Sequence, residues 1–344
     1  MTLSDGTVAR LLQRETEVFA GRFEIVGEAG AGGMGAVYKA VDGETGDLVA
    51  LKVLRLDTAS DGLERFRREA TILERLEHPA IVRYVAHGAN DEGEPWLAME
   101  WLEGVTLSER LRRQPPLTLG DALAIGHQVA TALAAAHARG VVHRDLKPGN
   151  IVLAGGSARD AKVIDFGIAR AVAGASAEDL TRTGQIVGTP GYMAPEQLRG
   201  ARDVDGRADL FALGCVIYRM VGGQPAFGGD DLISVIAKIA MDSPVALRRL
   251  RPGIPPPLDR LVRSLLEKSP ADRPSDASAV AGELRLLIAD LEAQHVDLPL
   301  TPNSVEHDPT VPDGRARTEA RSEARTGPTR PTKSARVAAI AGVI

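Results

Sequence analysis

A cluster of glycines near the start of the chain is followed by the wrong kind of segment for the fold it first suggests. Gly30-Ala-Gly32-Gly33-Met-Gly35-Ala-Val37 contains G-x-G-x-x-G, a pattern that dinucleotide-binding folds share and that is weak alone. A Rossmann unit needs a helix directly after the glycines, so that its N-terminus can receive the pyrophosphate. Here the chain continues Val37-Tyr38-Lys39-Ala40-Val41, alternating and β-branched, which predicts a strand. Glycines at a hairpin tip let backbone N–H groups approach phosphate oxygens with no Cβ in the way. On these residues alone, a Gly-rich turn without a ligand is the competing reading.

The strand-like pattern extends from Phe23 to Leu102, through Phe23/Ile25, Val37/Lys39/Val41 and Val49/Leu51/Val53. One helix interrupts it: Leu63, Phe66, Ala70, Leu73 and Leu76 recur at spacings of three and four. In Val49-Ala-Leu-Lys52-Val the two-residue period puts Ala50 and Lys52 on one face and Val49, Leu51 and Val53 on the other. A lysine on such a strand needs a partner if it is buried, and Glu69 on the inner side of the predicted helix supplies one. From Thr118 onward helices dominate. Thr118 and Asp121 form a capping-box pattern, and helical runs cover Ala208–Val221, Pro257–Glu267 and Asp276–Glu292. Strands first and helices later imply an α+β arrangement of two unequal lobes.

Hydrophobic residues at 44% and charged ones at 25% suit a chain with a real core. A net charge of -5 supplies no global basic field, so nucleic acid is not an expected partner. The single cysteine, Cys215, sits in an apolar run and reads as a core residue in a reducing, cytoplasmic setting. Residues 1–21 read as a short lead without a secretory leader. After about Glu292, Pro, Thr, Arg and Asp take over and periodicity ends, so 293–336 reads as a flexible tail, basic from Arg315. The eight apolar residues Val337–Ile344 behind that basic stretch have the pattern of a cytoplasmic segment entering a bilayer, though eight cannot span one.

The specific signal comes from His143-Arg144-Asp145-Leu-Lys147-Pro-Gly-Asn150, then Asp165-Phe166-Gly167, Gly188-Thr189-Pro190, and Ala194-Pro195-Glu196. With the glycine loop and Lys52, these ordered motifs resemble those of bacterial serine/threonine protein kinases of the eukaryotic type. The resemblance covers residues 22–292. It implies a bilobal protein-kinase fold, with a strand-rich N-lobe over 22–102 and a helical C-lobe over 103–292.

By that resemblance, the loop of Gly30, Gly32, Gly33 and Gly35 covers the ATP phosphates. Lys52 holds the α- and β-phosphates and pairs with Glu69. Asp145 orients the substrate hydroxyl, Lys147 neutralises the phosphoryl group in flight, and Asn150 and Asp165 ligate Mg2+, with Mn2+ as a substitute. Val37 and Ala50 would roof the adenine pocket and Val152 would floor it. Met99 would stand at its back, and backbone groups of Glu100 and Leu102 would bond the base. His143 would pack beneath Phe166, Glu196 would pair with Arg273, and Asp209 would brace the catalytic loop.

By the same resemblance, Lys147 two residues beyond Asp145, together with Thr189, implies serine and threonine hydroxyls of protein substrates. Arg144 before Asp145 implies control by a phosphate on the activation segment, with Thr181 and Thr183 as self-modified sites and a homodimer as one route to them. Tail threonines such as Thr310 suit phosphothreonine-binding partners, and the C-terminus suits membrane association. A pseudokinase is the rival reading; it predicts loss of Lys52, Asp145, Asn150 or Asp165, and all four are present.

Overall fold

The computed structural model describes residues 18–32, 35–54, 62–113, 116–166, 190–201, 204–295 and 298–300. Alternation in the first third becomes one antiparallel sheet of six strands. They are β1 (Val18–Phe19), β2 (Phe23–Gly32), β3 (Gly35–Asp42), β4 (Leu48–Leu54), β5 (Tyr84–Ala89) and β6 (Pro95–Glu100), in the order β1-β2-β3-β4-β6-β5. The register opposes Val37 to Lys52, Lys52 to Leu97 and Ala50 to Met99. Directly opposed residues share a face, so these five look toward the cleft and the main core. Tyr38, Val49, Leu51, Val53 and Ala98 look the other way, into a second apolar cluster. Phe23 closes that cluster against Trp96, ring centroids 5.0 Å apart.

Helix α1 (Gly62–Glu74) lies against this sheet, with Phe66, Ala70 and Leu73 buried as its period predicts. The helical lobe comprises α2 (Leu107–Arg112), α3 (Leu119–His137), α4 (Pro195–Leu198), α5 (Arg207–Gly222), α6 (Leu232–Met241), α7 (Leu247–Leu250), α8 (Pro256–Leu265) and α9 (Ala277–Gln294). The reciprocal capping box opens α3: Asp121 N–H donates to Thr118 Oγ1 at 3.1 Å, and Thr118 N–H donates to Asp121 Oδ2 at 3.2 Å. Helix α5 is buried on nearly every side, as an apolar-all-round helix must be. Cys215 lies within it, its thiol pushed far up by burial, which makes it a packing residue.

A three-stranded sheet of β7 (Gly104–Thr106), β8 (Ile151–Ala154) and β9 (Ala161–Val163) carries the site. The lobes meet through it. Val82 N–H donates to Val163 O at 3.0 Å and Val163 N–H to Ala80 O at 2.9 Å.

Two boundaries differ from expectation. Strand β1 pairs with β2 from Val18, ahead of 22, because Phe19 can bury near Trp96. The segment after α9 also returns to the lobe: Leu119 N–H donates to Leu298 O and Leu300 N–H to Leu117 O, each at 2.8 Å. Leu300 is thereby buried, so the first part of the expected flexible tail is held by backbone bonds and one apolar anchor. Among the described residues no helix is long and apolar enough to cross a membrane. The expectations for 301–336 and for Val337–Ile344 lie outside the described residues, as do those for 1–17.

Candidate active site

The register of β8 and β9 sets the central geometry. Ile151 opposes Val163, so Asn150, one residue before β8, faces Ile164, whose N–H donates to Asn150 O at 3.0 Å. Asp165 follows. A hairpin thus brings together two residues fifteen positions apart.

Asp145 is the hub on one side. Its Oδ2 accepts from Lys147 Nζ at 2.9 Å and from Asn150 Nδ2 at 3.2 Å, while its carbonyl accepts from the same amide at 2.8 Å. Its side chain is 25% exposed, so the carboxylate is fixed yet reachable from solvent. On the other side Lys52 Nζ donates to Asp165 Oδ2 at 2.9 Å. Lys52 is 6% exposed, and burial of this pair strengthens its attraction while raising its desolvation cost. Asp165 is an ion-pair partner of Lys52 that the sequence expectation did not include; its backbone, at φ 62, turns the carboxylate toward the lysine. Glu69 lies half-buried on α1.

Two buried oxygens have no hydrogen-bond partner among the described residues: Asn150 Oδ1 and Asp165 Oδ1. Leaving such atoms unsatisfied costs about 1–3 kcal/mol each. Two hard oxygens on adjacent side chains are suitable ligands for Mg2+, which takes few protein ligands and completes its shell with water and phosphate. The residues present therefore fit the cation that the resemblance implies.

The loop bearing Asp145 is held from below. Asp209, in the first turn of α5, accepts from His143 N–H and Arg144 N–H, each at 2.8 Å, and contacts His137 Nε2 at 2.7 Å. These bonds secure Arg144 at φ 64, a left-handed conformation costing roughly 1–2 kcal/mol for an L-residue. His143 Nδ1 accepts from Asp145 N–H at 3.3 Å, so the proton sits on Nε2 and is donated to Ile164 O at 3.0 Å. Its ring lies 4.7 Å from that of Phe166. Both ring nitrogens are engaged, which leaves His143 no role as a base. Arg144 donates to Val204 O at 3.3 Å, and its Nε has no partner among the described residues.

Glu196 and Arg273 form a two-pronged pair at 2.7 and 2.8 Å. The guanidinium also donates to the carbonyls of Glu267 and Arg207, and its side chain is 0% exposed. This ties the segment ahead of α5 to the far side of the lobe.

Above Asp165 lies an apolar pocket. Val37, Ala50, Met99, Leu102 and Val152 line it, with Glu100 at its edge. Val82 and Ile164 line it too, and sequence reading missed both. Ile164, next to Asp165 in an apolar run, was the available signal; Val82 comes from a loop whose pairing with β9 has no local signature. The Glu100 carboxylate is turned to Lys162 at 2.7 Å. Gly30 and Gly35 are at the β2–β3 hairpin, with Gly32 paired to Gly35. Gly35 sits at φ +142, and a Cβ there would meet Val53 O at 2.0 Å, so only glycine fits. Gly33, Gly167, Thr181, Thr183 and Thr189 lie outside the described residues.

A family profile described as protein kinase domain matches residues 23–284. Serine/threonine-protein kinase pkn3 of Myxococcus xanthus is 38% identical over 290 residues, covering 82% of this chain and 52% of that protein. Serine/threonine-protein kinase PknL of Mycobacterium tuberculosis is 36% identical over 296 residues, 85% of this chain and 72% of the relative. PknB of the same species is 38% identical over 268 residues, 76% and 42%. The chain spans about half the length of several curated relatives it matches. The crystal structure of the Mycobacterium tuberculosis PknI kinase domain superposes with a TM-score of 0.62 at 31% identity, covering 79% of this chain and 98% of that one.

Proposed function

Because the chain belongs to the protein kinase domain family, we propose that it transfers the γ-phosphate of ATP to serine and threonine hydroxyls of protein substrates. The observation that carries this reading is a pair of carboxylates held by different partners, Asp145 by Lys147 and Asn150, and Asp165 by Lys52. Asp145 is fixed by Lys147 and Asn150 yet open to solvent, and Asp165 and Asn150 each keep one oxygen without a partner among the described residues.

Asp145 orients the acceptor hydroxyl and takes its proton, and Lys147, already on Asp145, offsets charge on the phosphoryl group. Asn150 and Asp165 would hold Mg2+, whose charge, when bound, neutralises the phosphate oxygens. Lys52 receives the α- and β-phosphates, with Glu69 as its second carboxylate. Glu100 N–H already donates to Arg83 O at 2.9 Å, so its carbonyl and the backbone of Leu102 meet the base. The glycine hairpin covers the phosphates. A site of this kind works by positioning and by electrostatic stabilisation.

Arg144, whose Nε has no partner among the described residues, suits a phosphate on the segment carrying Thr181 and Thr183. That would make the enzyme self-activating, with a homodimer as the geometry for transfer. Phosphothreonine-binding partners and membrane association through the C-terminus belong to the same reading of the tail. The direct test incubates the chain with labelled ATP, Mg2+ and a generic basic protein, beside Asp145→Asn. Label on serine and threonine in the wild type alone is expected; equal label in both would overturn the assignment of Asp145.

A further inference from the structure

Lys39 lies on the cleft face of β3, yet it lines no part of the apolar pocket and holds none of the catalytic groups. It opposes Ala50, and Val37, two residues earlier, opposes Lys52, so Val37, Lys39 and Ala50 share one face. Val37 and Ala50 roof the pocket, and Lys39 continues that roof outward. Its ammonium lies 4.7 Å from the ring centroid of Trp101 and 3.3 Å from Glu103 Oε1. The Trp101 indole N–H donates to the same carboxylate oxygen at 2.7 Å. To reach them Lys39 spans β4, which separates β3 from β6 in the sheet. The indole bond first, and the lysine second, hold the Glu103 carboxyl below the usual glutamate range.

The backbone fixes the far side of this triangle. Residues 100–103 alternate, with Glu100 and Leu102 on the pocket and the side chains of Trp101 and Glu103 turned to Lys39. Trp101 N–H donates to Leu48 O at 3.2 Å, at the start of β4, while Glu103 O accepts from Gly155 N–H at 2.8 Å, just past β8. Lys39 is thus anchored in one lobe and the carbonyl of Glu103 in the other. At a surface each side-chain contact alone is weak. A carboxylate already oriented by the indole gives the lysine a preformed partner, and less freedom is lost in making the bond.

We propose that Lys39, Trp101 and Glu103 form a latch between the lobes, which holds the roof of the pocket onto the hinge and sets the affinity for the adenine nucleotide. Lys39 is a positioning residue, acting through Val37 and Ala50 on its own face. A roof already held down leaves less ordering to be done when the nucleotide enters. The nucleotide comes from the protein kinase reading, whereas the latch itself belongs to the free chain.

The experiment reads the two separately. In the first arm the full chain phosphorylates a generic basic protein at varied ATP. Lys39→Met keeps the stem and removes the charge; it should raise the KM for ATP about fivefold, the size of an exposed ion pair and a cation–π contact together. With kcat unchanged, that pattern is loss of uniform binding. Lys39→Arg should restore the wild-type KM, and Lys39→Met combined with Glu103→Gln should be no worse than the worse single variant, since both break one contact. In the second arm, without nucleotide, acrylamide quenches tryptophan fluorescence. The only other tryptophan, Trp96, is buried, so the difference between proteins reports Trp101, and Lys39→Met should be quenched more strongly than wild type or Lys39→Arg. Equal quenching in all three means that Lys39 does not cover the ring and overturns the latch. Stronger quenching with an unchanged KM, or additive effects of Lys39→Met and Glu103→Gln, overturns its role in nucleotide affinity. A wild type that labels nothing refutes the kinase reading instead, and the quenching arm still decides the latch.

Discussion

Asp209 and Asp165 are two aspartates set within one connected network, and the protein treats them in opposite ways. Asp209 is buried, and its carboxylate is saturated by two backbone N–H groups and a histidine. Asp165 has one oxygen on Lys52 and the other on nothing among the described residues. The arginines repeat the contrast, with Arg273 engaged by a carboxylate and carbonyls while the Nε of Arg144 has no partner among the described residues. A buried polar group that only holds the fold is driven toward full satisfaction, since each missing bond costs stability. An incomplete one beside other chemistry-bearing groups, as at Asp165 and Asn150, is a candidate place for something else to bind.

The largest effect should come from the reacting side. Asp145→Asn is expected to lower kcat by 10²- to 10⁴-fold, the range for loss of a positioned proton acceptor, while changing unfolding free energy by less than about 1 kcal/mol, since the Lys147 pair is part-exposed. A melting point that fell with activity would place Asp145 among the structural carboxylates and break the comparison. Next comes Glu196→Ala. It leaves the Arg273 charge buried and unbalanced, which costs about 3–5 kcal/mol, read from urea unfolding. A change under about 1 kcal/mol would mean that the carbonyls around Arg273 suffice. Asp209→Asn is smaller but touches both columns. An amide presents two donors where the carboxylate had none, so a loss of about 2–3 kcal/mol is expected, together with lower kcat as the Arg144 turn relaxes.

What could be read in advance follows the same line. Local periodicity and capping made β2, β3, β4, α1, α3, α5 and α9 legible, because each residue's burial there is set by neighbours within a turn or two. The faces of β4 were legible too, down to Ala50 and Lys52 sharing one. Asp209 was different: its donors lie 65 to 72 positions away, and only the resemblance pointed to its role. The Lys52–Asp165 contact spans 113 positions, and its geometry depends on the positive φ of Asp165, which no spacing rule predicts. Strands β7 and β9, of three residues each, are too short to show a period. Val82 joins the pocket only because its loop pairs with β9.

Asp276 supplies the smallest test and sharpens the contrast by removing burial from it. This exposed carboxylate caps α9, accepting from Ala279 N–H at 2.8 Å and from Ser275 Oγ at 2.9 Å. Those bonds, the backbone one first, hold its pKa below the ordinary aspartate value. A carboxyl whose pKa is lowered by folding stabilises the fold at pH above its unfolded value, and that contribution fades as pH falls through the folded one. Wild type should therefore lose part of its α9 stability between about pH 5 and pH 3. Asp276→Ala should cost about 1 kcal/mol at neutral pH. Asp276→Asn should retain the cap, because asparagine serves there nearly as well, while flattening this part of the acid dependence. The discriminating measurement is the difference in urea midpoint between the two pH values for wild type and Asp276→Asn. If the two proteins change in parallel, charge at the cap contributes nothing, and the carboxylates that matter to this fold are the buried ones alone.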